Sequence, residues 1–158
     1  MKSYHFILGT LGMSMLLACG GPESKSSENP TPASSSPTQE KSAADAAKGV
    51  GKFTQVDISP SLNTTMAQAG NKVYDMKCSS CHRLNDERLV GPGWKGVTNR
   101  RKPEWIMNFV TNVDEMLNKD ANAQAMLETC LVRMPNQNLT DDDARNVYEF
   151  MRKNDGVK

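Results

Sequence analysis

Beyond residue 63 the apolar positions of this chain recur with a helical period. Met66, Ala69, Gly70, Val73 and Tyr74, with Lys77 a turn later, share one face and predict a first helix. Pro103 suits the first turn of a second helix, where its missing N–H costs little; Trp105, Ile106, Phe109 and Val110 form the stripe behind it. Residues 114–127 carry Met116, Leu117, Ala121, Met126 and Leu127 at spacings that predict one or two short helices. Thr140 is a good cap for a last helix: Asp141, Asp142 and Asp143 fill its first turn, where acids suit the helix dipole. Its stripe is Ala144, Val147, Phe150 and Met151, and Asn154 and Gly156 stop it. No run alternates convincingly enough for a strand, and no repeat is present. The expectation is an all-α domain of about four to five short helices.

Upstream the pattern changes. Residues 6–17 form an apolar run of signal-peptide length behind Lys2, ending in Leu16-Leu17-Ala18-Cys19. That box resembles the cleavage site of bacterial lipoproteins, in which the cysteine becomes the lipidated first residue. Residues 20–45 hold seven Ser, four Pro and two Thr and no large apolar side chain. Such a segment cannot bury enough surface to offset its ordering entropy and is expected to be a disordered tether. Residues 50–62 are weakly apolar, enough to lie against the outside of the domain. The organisation expected is therefore a lipoprotein signal peptide at 1–18, a lipidated tether at 19–49 and one domain at 50–158. Several acyl chains on Cys19 would anchor the exported protein stably.

Composition narrows the function. The 158 residues are 37% hydrophobic, lean for a chain packed throughout, and suit one domain with tails. Nineteen basic against eighteen acidic residues give a net charge of +1, without the basic excess of a nucleic-acid binder. No stretch reaches the eighteen or so apolar residues of a membrane span. Four cysteines and two histidines carry the chemistry. Cleavage at Cys19 would remove His5 and leave His82 as the single histidine.

Cys78-Ser79-Ser80-Cys81-His82 is a C-x-x-C-H sequence, the attachment motif of c-type haem. Two thiols so spaced match the two porphyrin vinyl groups, and the next residue is placed to ligate iron. A thioredoxin-like dithiol needs a strand–helix setting that this segment lacks. A structural zinc site would have to recruit Cys130, about fifty residues away. For the second axial position no other histidine remains, and seven methionines do. Met76 lies too close to the motif; Met66, Met107, Met126 and Met151 fall on core stripes. Met134, in the polar loop Arg133-Met134-Pro135, is the preferred ligand, with Met116 and Met126 as alternatives.

These residues together resemble the small single-haem cytochromes c of the His/Met type, over roughly residues 64–154. Gly70-Asn71-Lys72-Val73-Tyr74 is similar to the family's N-terminal helix, Leu89-Val90-Gly91-Pro92 to the loop after the motif, and Met134-Pro135 with 139–144 to the ligand loop and last helix. The resemblance implies the cytochrome c fold around one covalent haem c. It implies that the Pro92 carbonyl orients His82, and that Trp94 and Trp105 lie near the haem, Trp105 toward a propionate. It further implies a carrier of single electrons between a respiratory donor and an oxidase or periplasmic reductase. Such a carrier would be no enzyme, with redox proteins and the membrane as partners and no nucleic acid or small-molecule substrate. The cell envelope, on its periplasmic or extracytoplasmic side, is the expected location. A haem enzyme or gas sensor with a labile distal ligand is the alternative; a redox-thiol lipoprotein ranks below it. Cys130 lies outside the family pattern and reads as a small buried hydrophobe, and 100–102 as a docking patch or a solvated loop.

Overall fold

The computed structural model describes residues 43–158. The signal peptide expected at 1–18, Cys19 and most of the tether expected at 19–49 lie outside the described residues. Within them the chain forms seven helices: α1 (Ala43–Ala46), α2 (Thr64–Lys77), α3 (Val97–Arg100), α4 (Pro103–Thr111), α5 (Val113–Lys119), α6 (Ala121–Cys130) and α7 (Asp141–Asn154). The all-α expectation holds, and the extra elements are the four-residue turns α1 and α3. Between α5 and α6 the break falls at Asp120, whose extended backbone ends one helix while its side chain accepts from Ala123 N to start the next.

The frame is the crossing of α2 and α7. Asn63 caps α2. Thr140 and Asp143 close α7 with a reciprocal capping box, which accounts for the acidic run at its start. The helices approach so closely at Gly70 that a Cβ there would run into the Asn146 carbonyl and lie 2.9 Å from Phe150 Cβ. The buried face of α2 is Ala67, Gly70, Val73 and Tyr74; Met66 and Ala69, expected on it, sit at its flank. Tyr74 then meets Phe150, ring centroids 5.3 Å apart.

Helix α7 is buried on more than the expected stripe, because Tyr148, Glu149 and Arg152 are also covered. Their cover is the segment 47–62, which crosses the backs of α4 and α7. Val50, Phe53, Val56 and Ile58 pack on the core. Its backbone is satisfied by buried side chains. Asn108, 1% exposed, accepts from Phe53 N at 2.9 Å and donates to the Lys48 and Phe53 carbonyls. Glu104 accepts from Val56 N, and Arg152 donates to the Ser59 and Pro60 carbonyls. Glu149 accepts from Asn63 N and from Arg145 and Arg152, so both charge and donors are paired. Residues 43–49, expected at the end of the tether, thus include a helical turn and the start of this strap.

Candidate functional site

The C-x-x-C-H motif sits where α2 ends. Cys78 is its C-cap, and the Cys81 and His82 amides both return to the Cys78 carbonyl, at 3.1 and 2.9 Å. This tight turn keeps the three motif residues close together. Neither cysteine is in a disulfide, and burial pushes the Cys78 thiol up to about 11, with Lys77 and Cys81 as smaller, opposed influences.

His82 is held on several sides. Its Nδ1 lies 2.9 Å from the Pro92 carbonyl oxygen, as the resemblance implied. A carbonyl only accepts, so Nδ1 carries the proton and Nε2 keeps its lone pair. Burial lowers the imidazole pKa, against the smaller opposing effect of the Pro92 bond, so the ring is neutral at pH 7. The Tyr74 hydroxyl donates to the His82 carbonyl at 2.8 Å, and the Trp94 ring stands 5.6 Å from the imidazole. Gly91 presses on the same ring: a Cβ there would lie 2.8 Å from both Nδ1 and Nε2. The loop is fixed by Val90 and Gly91 amides donating to the Cys81 carbonyl.

An apolar cleft opens beside His82 in two lobes, of about 90 and 280 Å³. His82, Pro92, Phe109, Met126 and Met134 line both. Cys81, Leu127 and Cys130 complete the smaller lobe; Trp94, Arg100, Arg101, Trp105 and Met151 complete the larger. The walls therefore hold an imidazole with a free lone pair, three thioethers, aromatic faces and three guanidinium groups. That set fits a flat, largely apolar macrocycle with two carboxylate arms and an iron that takes one nitrogen and one sulfur ligand.

The structure also sorts the candidate sulfurs. Met116 is fully buried, and its sulfur accepts from Val50 N at 3.0 Å, so it is not a candidate. Met107 is buried away from the cleft, and Met76 is 75% exposed. Met151 lines the larger lobe alone, and Met126 and Met134 line both. The Met126 sulfur has Arg101 Nη2 at 4.0 Å, whereas Met134 sits on the loop that follows α6. That loop is joined to α2 by Lys77 Nζ donating to the Gln137 carbonyl at 2.9 Å.

Three readings change. Trp105 lines the cleft, but its indole N–H donates to Asp120 Oδ1 at 3.0 Å and is not free for a propionate. Of residues 100–102, Arg101 departs from a solvated loop: it lies half-buried with its guanidinium 4.6 Å from the Trp105 ring centre, while Arg100 and Lys102 are exposed. Cys130 is not fully buried; α6 ends there, and Leu131 turns out of the domain in a left-handed conformation, 84% exposed. Asp120 and Tyr74 were not singled out for the site. Only the fold joins Asp120 to Trp105, although an Asp before an Ala-rich run is a legible cap.

Residues 67–155 match the family model for cytochrome c. The chain is similar in structure to cytochrome c from Rhodothermus marinus, with 31% identity and a TM-score of 0.66 over 71% of this chain and 95% of that one. An engineered form of that protein, Rma TDE, is 30% identical with a TM-score of 0.66, over 71% of this chain and 96% of its own. The same engineered protein bound to a carbene intermediate gives 30% identity, a TM-score of 0.63 and the same coverage. Comparison with curated proteins returns no match. On the sequence match and the shared fold, the chain belongs to the cytochrome c family, whose small domains carry one covalently attached haem c and use it for electron transfer.

Proposed function

We propose that this chain is a monohaem electron carrier of the bacterial envelope, tethered through Cys19 and moving single electrons between a respiratory donor and an oxidase or reductase. Cys78 and Cys81 would form the thioethers, His82 Nε2 and the Met134 sulfur would be the axial ligands, and Pro92 would orient the imidazole. Arg100 and Arg101 would face the carboxylate arms. When bound, the haem supplies a one-electron centre whose potential a thioether ligand raises relative to a second histidine. The protein's part is to hold one nitrogen and one sulfur in both oxidation states, keep water out and present an edge. The observation that carries the reading is His82, with Nδ1 held by the Pro92 carbonyl, in a cleft that Met134 also lines.

The exposed edge fits a transient contact. Val90 and Val132 line the smaller lobe at 41% and 53% exposure, and Leu89 and Leu131 adjoin them. Arg88 ties the two segments together by donating to the Thr129 carbonyl at 2.7 Å. A small apolar rim of this kind suits electron-transfer encounters, which bury less than about 1,200 Å². The tether would raise the effective concentration of partners in the same membrane. No described helix is long and apolar enough to cross a membrane, so anchoring in this reading rests on the lipid at Cys19.

The test is the optical spectrum of the haem-loaded protein, oxidised and reduced, with carbon monoxide added, for wild type and Met134→Ala. The expected result is a weak far-red methionine–ferric band, lost in the variant, and no carbon monoxide binding by wild type. Binding by wild type would favour the enzyme or gas-sensor alternative, and an unchanged variant would move the ligand to Met126.

A further inference from the structure

Trp105 belongs to two structures at once. Its ring lines the larger lobe and stacks on Phe109, centroids 5.1 Å apart and planes 15° from parallel. Its indole N–H donates to Asp120 Oδ1 at 3.0 Å, and the same oxygen accepts Ala123 N at 2.9 Å. Both residues are nearly sealed, at 4% and 5% exposure. One buried oxygen therefore joins the wall of the cofactor cleft to the first turn of α6.

Helix α6 is part of the site. Ala123, Met126, Leu127 and Cys130 line the smaller lobe, and the helix runs directly into the loop that carries Met134. Ten residues make a helix that is marginal in water without outside support. Its C-terminal end has little: Leu131 is exposed, and the bond from Arg88 to the Thr129 carbonyl is an exposed one. The N-terminal end has the buried tie. Behind the indole the strap closes the space, since a Cβ on Gly49 would lie 3.0 Å from Trp105 Cδ1 and 2.7 Å from Met116 Cε. The ring thus has little room to move, and a firmly placed donor is a good anchor for a short helix.

We infer that Asp120 is a positioning residue for the distal side of the haem. By fastening α6 to the Trp105 indole it sets how tightly the Met134 loop closes over the cleft. The inference rests on Met134 as the distal ligand. Loss of a buried hydrogen bond to a carboxylate should shift the local opening of α6 and its loop about tenfold, without unfolding the α2–α7 frame.

The experiment uses the haem-loaded full chain with Asp120→Ala, Asp120→Asn and Trp105→Phe. Two readouts decide: the rate at which the reduced protein takes up carbon monoxide, and the far-red band of the oxidised protein. Asp120→Ala and Trp105→Phe should take up carbon monoxide, which wild type excludes, and should weaken the band. Asp120→Asn keeps an oxygen that can accept both bonds and should behave as wild type. If Asp120→Ala and Trp105→Phe exclude carbon monoxide as wild type does and only melt earlier, Asp120 serves stability alone and the inference is overturned. Opening by Asp120→Asn equal to that of Asp120→Ala would also overturn it. Trp105→Phe, which keeps an aromatic face but lacks the indole N–H, decides the matter if Asp120→Ala fails to load haem. Uptake by wild type itself would sink the Met134 reading before any substitution is compared.

Discussion

At the residue scale, the site depends on how little freedom His82 has. Gly91 touches its ring, so Gly91→Ala forces either the imidazole or the 89–92 loop to move. Overpacking of this kind costs about 1–3 kcal/mol in guanidinium titration of the haem-loaded protein. The Pro92 bond should fail with it, seen as a change in the oxidised spectrum. Arg101 acts through charge. A cation beside the cleft favours the reduced, less positive centre, so Arg101→Gln should lower the midpoint potential by tens of millivolts in a redox titration. Much of this was legible from residue order: the motif, the proline after it and the loop methionine are local signals. The Asp120–Trp105 bond was not, because a residue within α4 and one at the break between α5 and α6 are joined only by tertiary packing.

At the scale of elements, Thr140 and Pro103 placed the starts of α7 and α4 well: the threonine bonds the first turn of its helix, and the proline suits a first-turn position that needs no N–H. Faces were harder. Periodicity put Met66 and Ala69 on the buried side of α2, but the close approach at Gly70 rotates that face toward Ala67. A stripe read from one helix does not reveal where its partner crosses. Gly70→Ala tests the crossing directly. Because the obstacle is the Asn146 backbone and not a flexible side chain, α2 and α7 must separate, at about 3 kcal/mol by denaturant titration. Tyr74, four residues on, would carry the shift to His82 through its bond to the His82 carbonyl, so the spectrum should change along with the melting point.

Across the whole molecule the least legible part was the strap, because its weak apolar pattern does not show the side chains that receive it. Those receivers are polar and buried, and they also explain why charged residues lie on the inner face of α7. Glu149 is central, at 1% exposure. Burial pushes its carboxyl pKa up, but hydrogen bonds from Arg145, Arg152 and Asn63 N outweigh that and leave it below the ordinary value of 4.5. As pH falls, the unfolded chain therefore takes up this proton before the folded one does, and protonation favours unfolding. The stability Glu149 contributes is complete above about pH 5 and drains away as pH drops through its depressed folded value. Glu149→Gln leaves two guanidinium groups facing a neutral partner, so it should cost about 3 kcal/mol at pH 7. The same substitution removes the titration, so the gap to wild type should narrow steadily below pH 4.5 in denaturant titrations. A gap that stays constant from pH 7 to pH 3 would mean that the carboxylate's charge does not hold the strap, and that packing alone does.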